Sequence, residues 1–265
     1  MNSMIQRIHT PRFRRVILHR WIYAAAAALP LLFGQAAVAS TGTMDVATSS
    51  AAAPSVAHLS TVRSLYGDSI EFEIFRNDAP VGTHRVTFED RGGALKVVTD
   101  FELEVRALFI TFFEMQYRSE ALWRDGALVS LTARTNRNGD VVTVEAAADG
   151  DTLLGQGPNG PFTADLGIYP TNHWNAGVIG STQLLNTITG RVNAVRLVPL
   201  GLEQVDTAHG VIGATRYRYD GAIDNEVWYD ANGRWVQMRF PGEDGSMIEL
   251  RCRKCLPTET AEVAF

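Results

Sequence analysis

Cysteine is nearly missing from this 265-residue chain: Cys252 and Cys255 are the only two, so at most one intramolecular disulfide can form. Lysine is as scarce, with Lys96 and Lys254 alone. Arginine carries the remaining positive charge, which fits genomic base composition better than a phosphate-binding role. No nucleophile elbow, phosphate-gripping glycine loop or zinc-binding helix occurs, and no two carboxylates are spaced as an acid/base pair. The carboxylates instead alternate with apolar residues, as they do on a solvated sheet face. The sequence therefore nominates no catalytic residue, no cofactor and no metal site built on a recognised motif. No segment after residue 39 is apolar for long enough to cross a bilayer, which takes roughly 20 residues.

The chain opens on an export signal. Arg7, Arg12, Arg14, Arg15 and Arg20 precede an apolar run from Trp21 to Phe33, and Ala37-Val38-Ala39 offers a small-residue cleavage site before Ser40. Arg14-Arg15 partly fits a twin-arginine signal, but paired arginines are common in ordinary basic leaders, so the general secretory route is the expected one. No cysteine lies near the cleavage site to carry a lipid anchor. Five of the 24 basic residues and none of the 29 acidic ones precede Ser40, leaving 19 against 29. Such an acidic chain excludes nucleic acid as a main partner, because nucleic acid needs a basic face. The expected location is the periplasm or the outside of the cell.

Residues 40–60 are rich in Ala, Ser and Thr and too poor in apolar surface to offset the entropy of ordering them, so they read as a disordered linker. Residues 61–256 form a single β-rich domain and 257–265 a flexible tail. From Asp68 onward the apolar period is two. Ile70, Phe72 and Ile74 alternate with polar residues, as do His84, Val86 and Phe88 after the turn Asn77-Asp78-Ala79-Pro80. Gly82 at the start of the return strand points to a bulge or a close backbone approach. Leu95 to Val105 and Met115 to Trp123 continue the pattern, and Asp125-Gly126, Asn138-Gly139 and Asp149-Gly150 supply tight hairpin turns. Residues 107–113 are nearly all apolar and read as a doubly buried strand, a sheet corner or an exposed greasy loop. Gly155 to Gly167 reads as a long loop. Strand character resumes at Arg191–Pro199, Glu203–Thr207 and Val211–Tyr219, and three antiparallel strands close the domain.

About twelve such strands exceed what a flat sheet usually holds. The expected fold is mainly β, a single curled antiparallel sheet forming an open or half barrel, with a short helical plug or lid around residues 171–190. Thr171 or Asn172 would cap one helix near His173, and Ser181 a second.

The motifs Val81-Gly82-Thr83-His84, Leu122-Trp123-Arg124-Asp125-Gly126, His173-Trp174-Asn175, Leu184-Leu185-Asn186 and Val227-Trp228-Tyr229-Asp230, with Gly233-Arg234-Trp235-Val236, resemble a bacterial family of exported proteins known only as a domain of unknown function. The resemblance spans roughly Tyr66 to Cys252 and implies a fold without implying an activity. More loosely, the layout is similar to periplasmic half-barrel proteins such as the lipoprotein carrier LolA. That similarity would imply a curved sheet and helical lid enclosing acyl chains.

Three functions follow as expectations. In the first, a non-enzymatic exported protein binds a lipid or other apolar or amphipathic small molecule, or serves as an envelope scaffold. Its ligand-binding candidates are His84, His173, Trp174, Asn175, Tyr117, Trp123 and Trp228, each of which could equally be core. In the second, His84 and His173 converge as acid and base or as metal ligands, although metal sites usually need a third or fourth ligand. In the third, Cys252 and Cys255 serve redox exchange or a metal, against the plainer reading as a structural disulfide at the end of the last strand. An extended strand would hold these two cysteines about 10 Å apart, so that strand should end near Cys252 if they are bonded.

Overall fold

The computed structural model describes residues 59–107, 110–242 and 244–257. The expected export leader, residues 40–58 of the expected linker and the tail from residue 258 lie outside the described residues. The chain enters through α1 (Leu59–Tyr66), which begins two residues inside the expected linker. Val62 and Tyr66, one helical turn apart, are both fully buried. The signal for this helix is only two turns long, which is why the Ala/Ser/Thr-rich stretch before it dominates the reading.

Two meanders leave the centre of one sheet in opposite directions. The first is β1 (Ser69–Arg76), β2 (Ala79–Asp90), β3 (Leu95–Ala107), β4 (Ile110–Arg124), β5 (Ala127–Arg137), β6 (Asp140–Asp149), β7 (Thr152–Gly157) and β8 (Gly160–Asp165). The second is β9 (Tyr169–Pro170), β10 (Gln183–Leu185), β11 (Val192–Thr207), β12 (Gly210–Gly221), β13 (Glu226–Asp230), β14 (Trp235–Pro241) and β15 (Met247–Lys254). Neighbouring strands pair in sequence order, and β1 also pairs with β15, so β8 and β9 become the two edges. All pairs are antiparallel except β9 with β10. The sheet does not close by hydrogen bonds, yet its edges are consecutive in the chain. Residues 166–168 alone join them, and so short a link spans at most about 14 Å. Asn159 Nδ2 donates to the Thr189 carbonyl at 2.8 Å on the same seam.

The strands number 15 among the described residues, more than the expected twelve. Gly155–Gly167 is the β7–β8 hairpin rather than a loop. Its Pro161 sits on an edge strand, where a missing N–H leaves no gap in a ladder. The segment 171–190 contains no α-helix: Ala176–Gly180 is a short 3-10 helix, and the residues expected to form a second helix make β10. Leu184 and Leu185 are both fully buried, and β pairing to β11 takes precedence over their helix propensity. The two strands expected from Arg191 to Thr207 are one, β11, bent by a bulge at Pro199–Gly201.

Inward and outward faces follow the alternation. One inward row crosses the sheet through Phe72, His84, Phe101, Tyr117 and Thr135. The outward row beside it runs Glu71, Arg85, Asp100, Arg118, with ion pairs at 3.2 Å for Arg85–Glu71 and 2.7 Å for Arg118–Asp100. Exposed pairs of this kind contribute little each and keep the face solvated. Gly82 fulfils the close-approach expectation: a Cβ there would lie 1.9 Å from the Glu102 carbonyl oxygen on the next strand.

Beyond its bulge the β11–β12 hairpin touches β14 and β15, and Ala208 N donates to the Cys252 carbonyl at 3.1 Å. Val205, Val236, Cys252 and Cys255 are buried accordingly. Of residues 107–113, Ala107 ends β3 and 110–113 begin β4, while 108 and 109 lie outside the described residues. Phe113 packs against the core and Phe112 is 63% exposed, so the described start of β4 is neither buried on both faces nor a free loop.

Candidate functional site

The interior of the sheet is occupied by the chain's own segment from Tyr169 to Gly190. Pro170 and Asn172 begin two successive three-residue turns, with Asn172 N donating to Pro170 O and Trp174 N to Asn172 O, each at 2.8 Å. His173, the middle residue of the second turn, has φ +59°, a left-handed conformation costly for a residue with a Cβ. Those turns deliver Trp174 into the core, where it is 1% exposed, edge-on to Trp123 and Phe88 with ring centroids 5.6 and 5.5 Å away. Asn175 then caps the 3-10 helix by accepting from Gly177 N at 3.0 Å.

Wall tyrosines hold this segment by its main chain. Tyr66 Oη donates to the Trp174 carbonyl at 3.0 Å and accepts from Trp235 N at 2.8 Å. Tyr229 Oη donates to the His173 carbonyl at 2.8 Å. Tyr117 Oη reaches Thr187 Oγ1 at 2.9 Å and Asn172 Oδ1 at 3.1 Å, and Asn172 Nδ2 donates to Ser119 Oγ at 3.3 Å. Burial pushes the Tyr66, Tyr219 and Tyr229 phenols above their ordinary range, so each stays a neutral hydrogen-bonding group. Tyr66 escaped the sequence reading because nothing separates it from the helix it ends.

The two histidines share this interior. The Trp235 ring lies between them, 5.4 Å from His84 and 5.8 Å from His173 by centroids. His173 Nδ1 is 2.9 Å from Tyr219 Oη. Neither ring nitrogen of His84 has a hydrogen-bond partner, and Phe72 and Phe101 complete an aromatic surround. Burial lowers His84 to about 3, helped by the charge of a protonated His173, and lowers His173 to about 4. Both rings are thus neutral and weakly basic at neutral pH. Among the described residues no three His, Cys, Asp or Glu side chains gather as a metal site would require.

Tyr117, Trp123, Trp174, Asn175, His84 and His173 therefore lie together inside the sheet. Trp228 does not. It points to the opposite face, where its indole N–H donates to Glu203 at 2.8 Å and the Arg216 and Arg239 guanidinium groups lie 5.6 and 5.5 Å from its ring. The alternation of β13 shows why: Val227 and Tyr229 take the inward positions. Cys252 and Cys255 form a buried disulfide with Cα atoms 5.9 Å apart. Strand β15 nevertheless continues to Lys254, because a bulge opposite Glu71–Phe72 shortens the span that a regular strand would keep too long.

Two surface concavities of about 320 and 310 Å³ stand out, and neither is lined by the interior segment. One lies beside β6 and the β7–β8 turn, the other over β1 and β2 near Arg253.

A curled, almost wholly antiparallel sheet filled by its own chain defines an open-barrel protein. The chain belongs to the family described as domain of unknown function DUF6134, whose model matches residues 72–253. Its fold is similar to a crystal structure titled a beta-barrel-like protein of domain of unknown function DUF1849 from Brucella abortus. That similarity has a TM-score of 0.51 at 13% identity and covers 72% of this chain and 97% of the other. No curated protein matches the chain in sequence.

Proposed function

We propose that this is a non-enzymatic exported scaffold, acting in the periplasm or outside the cell by presenting its outer surface to a partner. The observation carrying this reading is the occupied interior. Trp174 and its neighbours fill the place an acyl chain would take, and tyrosines on three separate elements bind them there. The histidines support no acid/base role, since a general base works best with a pKa near the operating pH and these are held at about 3 and 4. A buried disulfide covered by β11 is likewise poorly placed to exchange with thiols.

One observation favours a second reading, in which a small amphipathic ligand enters the interior. The buried nitrogens of His84 and the hydroxyls of Thr99 and Thr135 have no partner, and unpaired buried polar atoms call for a ligand or ordered water. The test is native mass spectrometry, with organic extraction, of the mature protein purified from its own cell envelope. The scaffold reading expects the bare polypeptide mass. A stoichiometric lipid that survives purification would replace it with the second reading.

A further inference from the structure

Three asparagines of the chain precede a glycine: Asn138, Asn159 and Asn232. In such a pair the glycine amide nitrogen, uncrowded by a Cβ, attacks the asparagine Cγ. Its proton leaves with the side-chain amide as ammonia, and a succinimide ring forms. Water then opens the ring at either carbonyl, giving aspartate or isoaspartate, in which the main chain runs through the side-chain carbon. Sequence alone ranks the three sites equally. The structure separates them, because attack requires the asparagine side chain to turn onto its own main chain.

All three are exposed in hairpin turns. Asn138, in the β5–β6 turn, accepts at Oδ1 from Glu114 N at 2.8 Å. Asn159 is held at both ends, its Nδ2 donating to the Thr189 carbonyl at 2.8 Å and its Oδ1 accepting from Arg191 Nη2 at 3.0 Å. Asn232 is tied only through its main-chain N–H, which donates to Asp230 Oδ1 at 2.9 Å. Its side-chain amide is bound to nothing among the described residues. The glycine amides do not distinguish the sites. Gly139 N donates to Asn136 Oδ1 and Gly233 N to the Asp230 carbonyl, each at 3.0 Å, and Gly160 pairs with Gly157 across its hairpin.

The β13–β14 turn that carries Asn232 is also joined to the interior. Asp230 closes it, accepting from Arg234 N at 2.8 Å and from Arg234 Nε at 2.6 Å. Gly233 follows at φ +78°, packed so closely on the 3-10 helix that a Cβ there would lie 3.2 Å from the Ala176 Cβ. Two residues further on, Trp235 N donates to Tyr66 Oη, the phenol that binds the Trp174 carbonyl.

We propose that Asn232 is a site of spontaneous deamidation whose isoaspartyl product loosens the anchoring of the interior segment. The extra main-chain carbon lengthens the turn between Asp230 and Arg234 and displaces Gly233 against Ala176. The new carboxylate sets a second negative charge beside Asp230. Both changes bear on the junction at Tyr66.

Peptide mapping by mass spectrometry follows each asparagine in the mature protein at mildly alkaline pH, folded and in urea. In the fold Asn232 is expected to convert first. Asn138 should lag by roughly two- to tenfold, the effect of one hydrogen bond on a rate, and Asn159 by more. In urea the three should convert alike, and a lead for Asn232 that persists there would overturn the structural cause. Conversion of Asn138 or Asn159 as fast as Asn232 in the fold overturns the site. The isoaspartyl form, separated by ion exchange, should show faster amide exchange at Trp174 than the unaged protein, and unchanged exchange overturns the link to the segment. Asn232→Gln keeps an amide on the exposed turn and should remove the early product. Ageing of that variant at the parent's rate would place the reaction elsewhere and overturn the proposal.

Discussion

Trp174→Ala is expected to destabilise the folded domain by about 3–5 kcal/mol, the usual cost of removing a fully buried large aromatic side chain. Native domains hold roughly 5–15 kcal/mol in total, so this loss takes a large share of the whole. In a domain of this size it corresponds to a fall in Tm of about 10 °C or more. The indole touches wall and segment together: Trp123 and Phe88 lie edge-on to it, and Tyr66 binds its carbonyl. Its removal leaves a cavity that the tyrosine hydrogen bonds keep from collapsing. Urea or thermal unfolding of the variant checks the value, and a cost below about 1 kcal/mol would mean that segment and wall are not packed as one core.

The second large effect is acid destabilisation. His84 and His173 titrate at about 3 and 4 in the folded protein, against an ordinary value near 6.5. Because the unfolded chain binds these protons first, the stability that the neutral rings contribute is fully present above about pH 6.5. It declines as pH falls toward 4 and then 3. By pH 4 the loss is on the order of 3 kcal/mol for each ring. The decline begins above the range in which ordinary carboxylates titrate, so its upper part belongs to the imidazoles.

His84→Leu separates the two rings. At pH 7 it should be neutral or stabilising, since it removes two buried nitrogens that have no partner. Below pH 6 the variant should hold its stability increasingly better than the parent. Unfolding midpoints measured from pH 7 to pH 4 give the comparison, and parallel curves would mean that His84 gains a proton as readily in the fold as out of it.

Much of the wall was legible because a period of two is a strong signal wherever one face is buried. Ile70, Phe72 and Ile74, the row through Leu103, and the last three strands all fell where alternation puts them. The same signal fails where a strand is short, glycine-rich or buried on both faces. Gly155–Gly167 reads as a loop because its glycines and prolines signal turns, yet it holds most of the β7–β8 hairpin, and edge strands tolerate both. Leu184-Leu185 reads as helix because no polar alternation marks a strand buried on both faces.

Of the site, the sequence marks His84, His173, Trp174, Asn175, Tyr117, Trp123 and Trp228 as ligand-binding candidates, and the structure places the first six together inside the sheet. Trp228 is misassigned because aromatic character does not reveal which face of β13 a residue takes, and two arginines bury it from the outside. The hold of Tyr66 and Tyr229 on main-chain carbonyls could not be read from spacing. Their partners lie 108 and 56 residues away.

The most direct test of the filled interior is native-state hydrogen exchange at the main-chain amides of Asn172 to Val178. If this segment is part of the core, those amides exchange only as slowly as the most protected amides of β3 and β4, through global unfolding. Rapid exchange there under native conditions, with the wall still protected, would show a lid that opens on an interior space and would contradict the account.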